Sequence, residues 1–448
     1  MNSLPMSLEF ERLSVEAIVL ESHEITQAIE RSSKIPSHGR QWQTYLNSLA
    51  LFVFKKWLEE RDDNLMVDYS RCTIAKPGLA NLIPTVTNLQ VGKFRVGLIT
   101  LGSSFEEQVY LPRAIVELSE FIPHFYVLVE VLEEQECGVV RGFISYLELL
   151  ANINASPAIY YPQADWNYPI PLTWFDNDPN RLLLYLRALE PERISLPTVS
   201  ANPKPTLSSI DSQLVSLLPQ LQTPERELWE ILTWEQGSVV LTTPELIDWI
   251  YNLQTNNEVE RQIASLQKHL FDLIKIITQP AINVGRWLWD ELDEIGQQLS
   301  WTLLPRFREA GAMRSPTEEF AAIQSQLQAQ GIEISLVARS GYQNFLLAGV
   351  SLRLYAVTWN SSTGDDPNTW SLLLILATPL PNALPENLKL RVSDQTGILV
   401  EEELSPQQRG SYLYTRVVGG WDEKFIVTAS LGDGIELTLP PFAFDLTK

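Results

Sequence analysis

Residues 397–439, GILVEEELSPQQRGSYLYTRVVGGWDEKFIVTASLGDGIELTL, decide the class of the C-terminal part of the chain. The runs Ile398–Leu404, Tyr412–Val418, Lys424–Ser430 and Ile435–Leu439 are rich in β-branched and aromatic residues. Gly419–Gly420 and Gly432–Gly434 punctuate them. Short runs of this composition between glycine and aspartate turns read as strands. Working upstream, Ile332–Ala338, Val350–Thr358, Trp370–Thr378 and Leu388–Ser393 have the same character, with turn chemistry at Ser362–Asn368 and Asp394–Gly397. Strands at this spacing predict an antiparallel, immunoglobulin-like β-sandwich over residues 313–448. No fixed-period repeat is present, which argues against a solenoid or a propeller.

Residues 224–312 predict a helical segment. Pro224 and Pro244 each follow a threonine able to cap, and each precedes a glutamate. A helix over Glu258–Thr278 stops at Pro280. A second over 281–303 carries Val284, Leu288, Leu292, Ile295 and Leu299 as one stripe. Residues 191–223, with Pro197, Pro203, Pro205 and Pro219 among serines and threonines, predict a linker.

The first 190 residues predict an α+β domain. Helices are expected over 12–32 and 39–61. In the second, Trp42, Leu46, Leu49, Val53 and Trp57 recur at helical spacing and form a core face. Lys93–Leu101, Glu107–Leu111, Phe125–Leu132 and Val139–Tyr146 read as strands, the last two joined as a hairpin. Pro112 opens a short helix. Asp176 or Asn177 caps another that runs through Leu189. The fold class is therefore multidomain α+β: an N-terminal α+β domain, a helical middle and a C-terminal sandwich.

Composition restricts function. The chain has 448 residues and a formal net charge of −22. That charge is spread as −9, −7 and −6 over residues 1–190, 191–312 and 313–448, so it is a solubilising surface rather than an acidic tail. Nucleic-acid affinity rests on Lys and Arg displacing counterions, so no nucleic-acid partner is expected. Apolar runs such as Leu49–Phe54 and Leu372–Ala377 are too short to span a bilayer, and the N-terminus has no signal-peptide pattern. No membrane insertion and a cytoplasmic location follow as expectations. Cys72 and Cys137 are expected to be reduced and buried.

His23, His38, His124 and His269 share no ligand spacing, and no HExxH, CxxC, EF-hand, Walker, dinucleotide or GxSxG pattern occurs. No catalytic residue, metal or cofactor is predicted. Asp290, Glu291, Asp293 and Glu294 read as a solvated helical face, with Arg286 paired to Asp290. Glu401–Glu403 reads as a guard on a sheet edge. Two sets of residues are candidates for binding. Arg95, Arg113 and Arg141 are candidate anion-binding residues if they converge on one cleft. Trp287 and Trp289, on different sides of their element, are candidates for contact with a partner.

Four stretches together resemble a known family: SLEFERLSVEAI (7–18), WQTYLNSLALFVFKKWL (42–58), AINVGRWLWDELDEIG (281–296) and FIVTASLGDG (425–434). In this order they are similar to the cyanobacterial domain-of-unknown-function 1822 family, most distinctively around Asn283–Trp287. The resemblance implies a cyanobacterial cytoplasmic protein with no catalytic residues to carry over, associated with caspase-like proteases and signalling proteins. Taken together, the expectation is a non-enzymatic interaction or regulatory protein, a scaffold or adaptor for protein partners. The alternative is an anionic-ligand sensor or a cryptic hydrolase built on the N-terminal domain.

Overall fold

The computed structural model describes residues 16–102, 107–157, 159–198, 204–255, 263–305, 316–362, 368–379, 383–404, 412–432 and 434–446. The protein is mixed α+β and divides into two compact units. One holds Met1–Thr206 and Ser216–Glu258, the other Leu207–Val215 and Val259–Lys448.

The first unit is built on β1 (Ile18–Val19), β2 (Val67–Asp68), β3 (Val86–Val91), β4 (Phe94–Leu101), β6 (Phe125–Leu132) and β7 (Cys137–Ser145). Between β4 and β6 in the chain comes β5 (Gln108–Pro112), and β8 (Asn167–Pro171) follows β7. The six-stranded sheet has the order β1-β7-β6-β4-β3-β2, and β5 and β8 form a separate two-stranded ribbon. β4 and β6 run parallel; the other neighbours are antiparallel. Helix His38–Glu59 packs on β4, β6 and β7. Its residues from Leu49 to Phe54 are buried on every side, as suits an apolar helix lying across a sheet. Trp42 departs from the expected stripe: it precedes the buried stretch and is 56% exposed. The β6–β7 hairpin forms as predicted, turning through Glu133–Gln135 with Glu136 left-handed at φ 50°. Asp178, rather than Asp176 or Asn177, caps helix Pro179–Ala188 by accepting from the Asn180 N–H.

Residues 191–223 are not simply a linker. Lys204–Leu221 is a helix, and its Leu207, Ile210, Leu214, Leu218 and Leu221 are buried. Those residues recur at spacings of three and four, a helical period that the prolines and serines mask.

The second unit contains two antiparallel sheets. After β9 (Ile282–Asn283) and β10 (Thr302–Leu303) come β11 (Arg339–Leu347), β12 (Val350–Asn360), β13 (Thr369–Ala377), β14 (Leu388–Ser393), β15 (Ile398–Glu403), β16 (Tyr412–Gly420), β17 (Ile426–Leu431), β18 (Ile435–Thr438) and β19 (Phe442–Ala443). One sheet has the order β10-β11-β12-β13-β16 and the other β15-β14-β17-β18. Their inner faces share a core of Leu354, Ala356, Trp370, Leu372, Leu390, Val392 and Val427. The alternate residues Tyr355, Val357, Trp359, Leu373 and Ile375 are also buried, because helix Pro316–Ala329 covers the outer face with Phe320, Ile323 and Leu327. The immunoglobulin expectation is corrected by the strand order. Immunoglobulin domains put their second and third strands in opposite sheets, whereas β11, β12 and β13 are successive neighbours in one sheet.

Three further readings are corrected. Residues 332–338 are not a strand; the first long strand is β11, whose Gly341 brings the backbone against the Trp287 ring, 3.2 Å from where a Cβ would stand. Residues 281–303 do not form one helix. They run as β9, a 3-10 segment Val284–Trp289, helix Glu294–Gln298 and β10. The Asn283 side chain accepts from the Gly285 N–H, Asp293 accepts from the Gly296 N–H, and Asp290 is left-handed at φ 64°. These short polar side chains take backbone donors that a continuous helix needs. Leu288, Leu292, Ile295 and Leu299 still pack on the core, without a helical stripe. Arg286 pairs with Glu291, and Asp290 pairs with Arg339, so the expected Arg286–Asp290 pair does not form.

Candidate functional site

The first unit holds a cleft of about 660 Å³. One wall is the C-terminal end of β4, Ile99–Leu101, with Leu128 and Glu130 of β6 and Arg141 of β7. The other is β5, with Asn167 of β8.

Arg141 reaches the cleft because β7 carries one residue too many at this point. Leu128 pairs with Gly142 and Val129 with Val140, which leaves Arg141 as the bulged residue. Bulges re-aim side chains in this way. The next residue must be glycine: a Cβ on Gly142 would lie 2.5 Å from the Asp176 carbonyl oxygen, where the chain bridges Phe143 and Asp176. Arg141 donates from Nε to Glu130 at 2.6 Å. The cleft's guanidinium is therefore already matched with a carboxylate. The remaining polar lining is uncharged. Thr100 Oγ1 donates to Asn47 Oδ1 at 2.7 Å and Gln43 to the same oxygen at 3.1 Å, while Gln108 donates to the Tyr110 hydroxyl at 2.9 Å.

The ribbon's hydrogen bonding follows from its prolines. Leu172 N–H donates to Glu107 and Arg113 N–H to Trp166, in the same register that pairs Val109 with Ile170 and Leu111 with Tyr168. Bonded and non-bonded pairs alternate in an antiparallel ladder. The odd-numbered residues of β5 therefore bond to β8, and the backbone groups of Gln108 and Tyr110 point the other way. Pro169 and Pro171 of β8 fall at its outward positions, where a missing N–H costs the ladder nothing.

A smaller recess of about 280 Å³ shares Pro84, Pro112 and Asn167 with the cleft. In it the Arg113 guanidinium lies 4.4 Å from the centre of the Trp234 ring and pairs with Glu117. Arg40 forms a two-pronged pair with Glu227, and burial lowers its guanidinium to about 10.

The three arginines picked from sequence do not converge. Arg141 lines the cleft, Arg113 the smaller recess, and Arg95 neither. Arg95 donates to the Ser119 carbonyl at 3.3 Å, and its backbone N–H donates to His124 Nδ1 at 2.9 Å. Burial and the Arg95 charge push His124 down to about 4, so this histidine is a neutral acceptor at physiological pH. Trp287 is wholly buried in the second unit's core, with no surface to offer, while Trp289 is 43% exposed. Both cysteines are buried, and burial raises their thiols. Among the described residues no group of three His, Cys, Asp or Glu is placed to hold a metal ion, and no helix is long and apolar enough to cross a membrane.

Sequence reasoning missed Thr100, Gln108, Tyr110 and Glu130 because no motif marks them. The alternating prolines in YPIP (168–171) were the available signal for an edge ribbon.

No curated protein and no solved structure matches the chain. A family model described as "Protein of unknown function (DUF1822)" matches residues 18–438. With most of its length matched, the chain belongs to the DUF1822 family.

Proposed function

We propose that this protein is a non-enzymatic interaction protein, a scaffold or adaptor that holds a protein partner in the cleft of its first unit. The observation that carries the reading is the chemistry of the cleft lining. Amides and hydroxyls of Gln43, Thr100, Gln108 and Asn167 surround the self-neutralised Arg141–Glu130 pair, with Ile99, Leu101 and Leu128 as apolar ground. Hydrogen-bonding side chains on an apolar floor suit polypeptide better than an anion, which would have to displace Glu130 at a desolvation cost. The anionic-ligand alternative rests on Arg141 alone, since Arg95 and Arg113 lie elsewhere. In this reading the partner belongs to a signalling or protease-linked pathway of the cyanobacterial cytoplasm, the setting that the sequence resemblance implies.

The test is site-specific photo-crosslinking. A benzophenone amino acid at Gln108 is compared with one at Leu184, an exposed position on helix Pro179–Ala188 outside the cleft. One protein crosslinked from position 108 and absent from 184, identified by mass spectrometry in native lysate, supports the role. Identical patterns from both positions, or none from 108, would count against it.

A further inference from the structure

We propose that the partner is bound as an added β-strand: an extended segment seated in the cleft, hydrogen-bonded to the outer edge of β5 at Gln108 and Tyr110. The inference rests on the protein-binding role above and specifies its mode.

The two edges of the β5–β8 ribbon are treated differently. On β8 the outward positions include Pro169 and Pro171, which have no N–H to give. That is the usual protection of an edge against unwanted pairing. On β5 the outward positions Gln108 and Tyr110 keep their donors and acceptors, and the third outward position, Pro112, ends the open stretch. Gln108 and Tyr110 both line the cleft, and no described residue pairs with this edge. A ribbon that blocks one edge and leaves the other open toward a recess is built to accept a strand there.

The opposite wall presents a second unpaired stretch. β3 begins at Val86, which pairs with Leu98, so no described strand pairs with β4 from Ile99 to Leu101 on its β3 side. The His124 N–H donates to the Arg95 carbonyl, which turns the odd-numbered residues of β4 toward β6. Thr100 therefore directs its backbone groups to the open side, into the same cleft. Pro112 has no N–H, so β5 offers the four residues Gln108–Leu111, and the segment it pairs is about 14 Å long.

Charge defines the rest of the occupant. The cleft is neutral and the chain carries a net −22. The fitting segment has an uncharged, β-branched core with lysine or arginine at its flanks.

The probe is a peptide selected on the full-length chain from a random dodecapeptide display library. Two variants separate backbone from side chain. Tyr110→Ala removes the ring and keeps the N–H. Tyr110→Pro also removes the N–H, which points away from β8, so the ribbon's own ladder is untouched. Loss of one backbone hydrogen bond is expected to weaken the peptide about tenfold for Tyr110→Pro relative to Tyr110→Ala. If Tyr110→Pro does not fold, the same question is put to wild-type protein with N-methylated peptides. Methylation at alternate residues should then cost about tenfold, and at the intervening ones far less. Equal binding by both variants, or indifference to the position of methylation, overturns strand addition and leaves the protein-binding role standing. Failure to select any peptide also overturns it, whereas the binding role itself fails only with the crosslinking result.

Discussion

Replacing Asp272 should weaken the second unit more than any single surface change. Helix Ile263–Thr278 puts Asp272 against β14, where both it and Arg391 are almost wholly buried. Arg391 donates from Nε to Asp272 Oδ2 at 3.1 Å and from Nη2 to Oδ1 at 3.3 Å, and the Ser393 hydroxyl donates to Oδ2 at 2.7 Å. Breaking a buried pair by removing one partner strands the other charge, at about 3–5 kcal/mol. The two single changes should differ. Asp272→Ala leaves Arg391 with Glu436, 3.5 Å from Nη1 and one-third exposed, so the loss is about 3 kcal/mol. Arg391→Ala leaves the Asp272 carboxylate with the Ser393 hydroxyl, and the loss is about 5 kcal/mol. Replacing both, as Asp272→Leu with Arg391→Met, removes the desolvation cost together with the attraction and should fall within about 1 kcal/mol of wild type. A chain of two units has no single unfolding free energy. The assay is therefore amide hydrogen exchange over Leu388–Ser393, which reads local opening directly. A cost below about 1 kcal/mol for Asp272→Ala, or a double replacement as damaging as either single one, would refute the claim that the helix is fastened by this pair.

Other outcomes follow from the first unit. His124, held neutral with its titration near 4 against an ordinary 6.5, binds fewer protons folded than unfolded between those values. Its contribution of about 3 kcal/mol is complete above pH 6.5 and is lost as the pH falls toward 4; His124→Gln should flatten a thermal-melting profile in that window. Gly142→Ala should cost about 1–3 kcal/mol by driving apart the Phe143–Asp176 bridge, measured by amide hydrogen exchange over Cys137–Ser145. Glu130→Gln should free the Arg141 guanidinium, so that inorganic phosphate binds the variant more tightly than wild type in isothermal titration.

Much of the fold is legible in the sequence wherever one period dominates. Helix His38–Glu59 and strands β4, β6, β12, β13 and β14 fall within a few residues of their expected positions. Each misreading has its own local cause. Residues 281–303 carry apolar residues at helical spacing, yet Asn283 and Asp293 claim local backbone donors, and periodicity records burial without recording that competition. β11 fails to stand out because Gly341, Gln343 and Asn344 interrupt its alternation, and Gly341 is there for the Trp287 ring. Helix Lys204–Leu221 hides behind its prolines. The cleft is the least legible feature, since it depends on a bulge at Arg141 and on which way each β5 amide points, neither of which composition reveals. Charge counting could nominate Arg95, Arg113 and Arg141, but only the pairing of strands decides that one of them reaches the cleft.

Residue-resolved amide exchange along β5, in the full chain alone and with its crosslink-identified partner, tests the central claim most directly. Alone, Val109 and Leu111 should be protected by the ladder to β8 while Gln108 and Tyr110 exchange freely. With the partner bound, Gln108 and Tyr110 should become protected as well, and Thr100 should slow across the cleft. Slow exchange at Gln108 and Tyr110 in the free chain, or no change there when the partner binds, would contradict the assignment of this edge as the binding site.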